Sequence, residues 1–139
     1  MRKLLVAAAL APAALLLTAA APQDVLDQVE AKATELLGQK GLNPTGWVNN
    51  GSLEQGGKAS VKVSLKGGAV YSIVGMCDNG CTDLNTVLTD ASGNEVDSDV
   101  EADDFPLLVT DKSGTFTLTV TMVGCKTSTC RYRLKSYSK

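Results

Sequence analysis

Four cysteines and no histidine set the limits on chemistry in this 139-residue chain. Cys77-x-x-x-Cys81 and Cys125-x-x-x-x-Cys130 have spacings that resemble zinc-ligand pairs. With no histidine to complete a site, and with a leader that directs export, oxidation is the expectation instead. Four cysteines allow three connectivities. The local one, Cys77–Cys81 with Cys125–Cys130, is favoured because each pair brackets a turn-rich loop, Asp78 to Gly80 and Lys126 to Thr129. Without histidine, neither a Ser-His-Asp nor a Cys-His set can be built, and the commonest general base is missing. Paired carboxylates of the glycosidase kind remain, but no feature of the chain selects two of them. The expectation is a protein without catalytic activity.

Charge is segregated along the chain. Between Gly67 and Asp111 there are ten acidic residues and no lysine or arginine, and from Lys112 onward there are six basic residues and no acidic one. Asp97, Asp99, Glu101 and Asp103 alternate, so in an extended segment their carboxylates share one face about 7 Å apart and repel unless something positive lies among them. That set, with Asp83 or Asn85, could hold calcium, which takes carboxylate and carbonyl oxygens. The EF-hand pattern is not met, and a solvated acidic loop is the plainer reading. Calcium is the one cofactor the sequence suggests.

Arg131, Arg133 and Lys135 should project from one face of the last strand, beside a ladder of threonines on the strand before it. Such a face could bind an anionic cell-envelope polymer or the acidic half of another copy, or could simply guard a sheet edge. Trp47 and Tyr71 could form a sugar-stacking platform or act as core anchors. The net charge of −2 becomes −4 once Arg2 and Lys3 are removed with the leader, which argues against nucleic acid as a partner.

The elements that would position these residues follow from periodicity. Residues 1–20 read as a signal peptide: a basic Arg2-Lys3 start, an apolar stretch from Leu4 to Leu17, and small residues up to a cut after Ala20. The stretch is short for a membrane span, so the exported chain, periplasmic or secreted, should keep no stable membrane anchor. Residues 21–41 form an amphipathic helix, with Val25, Leu26, Val29, Ala33, Leu36 and Leu37 on one face, Pro22 in its first turn and Gly38 just past its end. Residues 42–58, rich in glycine and asparagine, read as a connector with one short strand near Trp47. From residue 59 to 139 the period becomes two. Short alternating strands with frequent turns predict an antiparallel β-sandwich of jelly-roll type with a polar outer face.

Within that last segment, several landmarks fall in a familiar order. Gly68 precedes the Tyr71 strand, Asp83-Leu84 opens the next, and Asp90 to Asn94 makes an Asp-Ala-Ser-Gly-Asn turn. Pro106 follows the acidic segment, Ser113-Gly114 precedes Phe116, and Tyr132 lies in the last strand. From Ala59 to Tyr137 the chain resembles the bacterial pre-peptidase C-terminal domain family, small β-sandwich modules usually appended to secreted peptidases. It departs from them in having no peptidase domain attached and Phe116 where tyrosine is common. The resemblance implies a non-catalytic secreted module, some of whose relatives bind extracellular polymers, and supplies no active-site residues. The function expected is thus a binding or accessory module for an extracellular or cell-envelope polymer or protein. The alternative is a structural protein that associates with itself through its helix or its acidic and basic surfaces.

Overall fold

The computed structural model describes residues 12–13 and 24–139, so the expected leader and its cleavage site lie almost wholly outside the described residues. One helix, α1 (Val25–Gly38), precedes eight strands: β1 (Asn43–Leu53), β2 (Lys58–Leu65), β3 (Tyr71–Cys77), β4 (Cys81–Thr89), β5 (Glu95–Asp99), β6 (Leu107–Thr110), β7 (Gly114–Cys125) and β8 (Cys130–Ser138). They form two four-stranded antiparallel sheets, ordered β1-β8-β3-β6 and β2-β7-β4-β5. Strand pairs are nested, first with last and so inward (β1 with β8, β2 with β7, β3 with β6, β4 with β5). That is the wrapping of an eight-stranded jelly roll.

Alternation in the sequence places the core. Leu84 and Leu88 on β4, and Phe116, Leu118, Val120 and Met122 on β7, face inward and are buried. Threonines 115, 117, 119 and 121 alternate with the β7 set and line the outer face of their sheet, where Ser60 and Thr119 share a hydrogen bond of 3.0 Å. Thr86 also faces inward, and its buried hydroxyl has no hydrogen-bond partner among the described residues. A lone hydroxyl in such a place costs about 1–3 kcal/mol of desolvation. Thr86→Val, which keeps the shape and removes the hydroxyl, is therefore expected to raise the thermal unfolding temperature; a fall would mean that the hydroxyl is satisfied.

All seven residues of β3 are buried, because α1 covers the outer face of β3 and of its neighbour β8. Leu26, Ala33 and Leu37 of the helix pack against Val74 and Met76 of β3 and Tyr137 of β8, a second core separate from the one between the sheets. Pro22, expected in the first turn, lies outside the described residues. The helix N-cap is Asp24, whose carboxylate accepts the Leu26 N–H at 2.9 Å. At the other end Gly38 is still helical, and the left-handed residue is Gly41.

The segment from 42 to 58 differs most from the sequence reading. Eleven of its residues form β1, a full strand paired along β8. Its glycines and asparagines are poor strand formers, and it is β8 that orders them. Gly46, at φ +95, lies in an irregular stretch where the register shifts between Pro44 and Val48. Gly51 is required because the Tyr132 side chain of β8 occupies the space a Cβ would take.

Candidate binding surfaces

β8 alternates Tyr132 and Leu134, turned into the sandwich, with Arg131, Arg133 and Lys135, turned outward under α1. The helix answers with carboxylates three residues apart. Asp24 takes a bidentate pair from Arg131 at 2.7 and 3.0 Å. Asp27 accepts from Arg133 at 2.9 Å, and Glu30 accepts from both Arg133 and Lys135. Arg133 also donates its Nε–H to Asn50 Oδ1 of β1 at 2.7 Å. The side chains of Arg133 and Lys135 retain only 15% and 11% exposure. The basic face expected on this strand is therefore engaged by the chain's own helix. Nor does it lie beside the threonine ladder: β7 and β8 belong to different sheets, so the two sets decorate opposite outer faces of the sandwich. Alternation in each strand was legible, but the crossover between them was not.

These pairs set a pH dependence. The hydrogen bonds from Arg131, with the Leu26 N–H, hold the Asp24 carboxyl down at about 2. Burial pushes Glu30 up, but the bonds from Lys135 and Arg133 outweigh it and leave that carboxyl below its ordinary value. A depressed carboxyl contributes stability above its unfolded pKa and loses it as pH falls through the folded one. Ordinary values here are 3.8 for Asp24 and 4.5 for Glu30. Helix docking is expected to hold above that range and to weaken as pH falls from 4.5 toward 2. Hydrogen exchange of the α1 amides across an acid titration checks this. Unchanged protection down to pH 2 would contradict it.

The acidic segment is used in a different way. Asp97 and Asp99 stand opposite the inward-facing Leu88 and Thr86 and reach across to the other sheet. Asp99 Oδ2 accepts the Leu107 N–H at 2.9 Å, and Asp97 Oδ2 accepts the Val109 N–H at 2.8 Å. The edges of β5 and β6 are thereby laced together. Asp99 also accepts the Glu101 N–H, and Asp103 accepts the Phe105 N–H at 3.0 Å, both as loop-forming bonds. On β4, the Oδ1 atoms of Asp83 and Asn85 are buried without hydrogen-bond partners among the described residues. Asn85 points to the outer face, away from the carboxylates of Asp97 and Asp99. Among the described residues no group of three or more acidic or cysteine side chains is placed to hold a metal ion.

Both local disulfides are formed, Cys77–Cys81 and Cys125–Cys130, as an oxidising compartment allows. Each closes a crossover between sheets, β3 to β4 and β7 to β8. The two loops meet at one end of the sandwich, where the Arg131 N–H donates to Asp78 Oδ2 at 2.8 Å and the Lys126 N–H to the Gly80 carbonyl at 2.8 Å.

Among the described residues, the side formed by β1 and β2 has no counterpart to the Asp97 and Asp99 lacing. A cleft of about 360 Å³ opens there at the end away from the disulfides, lined by Thr45, Trp47, Ser64, Leu65, Lys66, Tyr71, Ser136 and Ser138. Trp47 is half-buried against the core, and Tyr71, mostly buried, takes the Lys66 backbone N–H on its hydroxyl at 3.1 Å. The Thr45 hydroxyl meets the Ser136 hydroxyl across the floor. A second hollow of about 180 Å³ continues along the same side, past Asn49, Val61 and Tyr132. Trp47 and Tyr71, far apart in sequence, thus come together with hydroxyls and one lysine, and no carboxylate is among the residues lining the cleft. Such a set can stack on a ring, hydrogen-bond hydroxyls and attract an anion, but it has no acid–base pair. No family model matches the chain, and no curated protein is similar to it in sequence.

Proposed function

We propose that this protein is an exported, non-catalytic binding module of the pre-peptidase C-terminal type, which holds an extracellular or cell-envelope polymer in the Trp47 cleft. One observation carries the reading. The sandwich is laced along its β5–β6 side and left open along its β1–β2 side, and the chain's one tryptophan stands half-buried in that opening. An aromatic face among hydroxyls suits a sugar ring, and Lys66 suits a polymer that carries acidic groups. The absence of carboxylates from the cleft lining speaks for retention of the polymer rather than its cleavage.

Because Trp47 is the only tryptophan, its fluorescence reports on the cleft alone. Titration with neutral and acidic soluble glycans is expected to shift its emission. Trp47→Ala is expected to weaken retention on the corresponding insoluble polymer about tenfold or more, as loss of a central aromatic contact does. Emission that no glycan moves, together with undiminished retention of the variant, would remove the cleft from consideration.

A further inference from the structure

A sandwich of two open sheets has four edge strands, and three of them here are guarded against strand addition. β5 and β6 are laced by Asp97 and Asp99. β2 presents Lys58 and Lys62 as exposed charges, a common guard of sheet edges. β1 is the exception. From Asn43 to Leu53 it carries no charged residue, and among the described residues it pairs with β8 on one side and with no strand on the other. Its own guard, Pro44 with the irregular register before Val48, covers only its first half. From Val48 to Leu53 the pairing with β8 is regular, so alternate residues turn their N–H and C=O groups toward the open edge.

We propose that this second half of β1 pairs antiparallel with the same segment of a second copy of the chain, about a two-fold axis through Gly51. An axis through a residue keeps outward side chains opposite outward ones, as pairing within one sheet demands. It sets Gly51 opposite its equivalent, Asn49 opposite Leu53, and Asn50 opposite Ser52. Asn50 Oδ1 is already held by Arg133, which leaves its amide N–H groups for the Ser52 hydroxyl of the other copy. No like charges meet, and this self-match is what favours a second copy over a foreign strand. The helices allow it: α1 lies over β8 and β3, and β8 would be three strand spacings, about 14 Å, from its copy. That clears two helices, which pack about 10 Å apart. Pairing also stops short of Trp47, so this inference stands whatever the cleft binds.

Sedimentation of the purified protein over a concentration series is expected to show a monomer–dimer equilibrium. The double variant Asn50→Glu, Ser52→Glu places its new carboxylates opposite Arg133 and Arg131 of its own β8, so the fold is retained, as circular dichroism will verify. Across the axis they face each other, and the dissociation constant should rise about tenfold or more. The variant Asn50→Glu, Ser52→Lys puts opposite charges across the same axis and should bring the dimer back. A monomer at every concentration overturns the proposal and leaves the edge to a strand from another protein. A dimer undisturbed by the two glutamates, or one that the Glu/Lys variant fails to restore, overturns it equally.

Discussion

Tyr137→Ala is expected to destabilise the protein by about 3–5 kcal/mol, the range for truncating a fully buried aromatic. Tyr137 is 0% exposed. Its ring fills the space between α1 and the outer face of β3 and β8, among Leu26, Ala33, Leu37, Val74 and Met76. Its hydroxyl shares a hydrogen bond of 2.8 Å with Thr34, and the Lys135 ammonium lies 5.6 Å from the ring centroid. Tyr137→Phe removes only the hydroxyl bond and should cost about 1 kcal/mol. Denaturant unfolding of both variants separates packing from hydrogen bonding. Because this core is distinct from the one between the sheets, hydrogen exchange of the alanine variant should show α1 opening before the strands. Equal losses in the two variants would mean that the hydroxyl bond, not the ring, fastens the helix.

Periodicity in the sequence placed the helix, most of its apolar face (Leu36, expected on it, is exposed) and the alternating strands from residue 59 onward, because each needs only local alternation and burial. What it left open was always a long-range partner. Arg131, Arg133 and Lys135 were visible as one face of a strand, and Asp24, Asp27 and Glu30 as one stripe of a helix. Nothing local says that the two stripes meet. Three helical residues rise about 4.5 Å and two strand residues about 6.8 Å, so the match depends on long basic side chains absorbing the difference. Asp24 shows the same dependence, since it caps the helix and binds Arg131 at once.

The alternating acids illustrate a second kind of gap. Carboxylates two residues apart in a strand resemble a ladder awaiting a cation. Their spacing is also that of alternate backbone N–H groups on a facing edge, and Asp97 and Asp99 meet Val109 and Leu107, themselves two residues apart. Sequence spacing alone does not separate these uses, since both come from the same strand repeat. The β1 segment was missed for the converse reason: its residues have little intrinsic preference for a strand, and the pairing that orders it comes from β8, at the far end of the chain. The cysteines were the most legible site of all. Each pair brackets a turn-rich loop, which favours the local pairing among the three connectivities, and that pairing is the one formed.

Those cysteines carry the other large expected effect. Replacing all four with alanine should cost about 4 kcal/mol, about 2 kcal/mol for each short loop in the chain-entropy account. A domain is stable by only about 5–15 kcal/mol, so the variant should unfold at a markedly lower denaturant midpoint. Position adds to the argument. Both bridges stand where the chain crosses between sheets, and the loops they close are joined to each other through Asp78 with Arg131 and Gly80 with Lys126. Loss of one bridge should therefore leave its loop partly held by the other, whereas loss of both frees that end of the sandwich. Trp47 lies at the opposite end, beside Ser138 and Lys66. Its emission should stay native while exchange at the crossover loops rises, and should change only with global unfolding. A four-alanine variant with the wild-type midpoint would show that the hydrogen bonds between the loops already hold the crossovers. A tryptophan signal that moves together with loop exchange would show that the two ends of the jelly roll open as one unit.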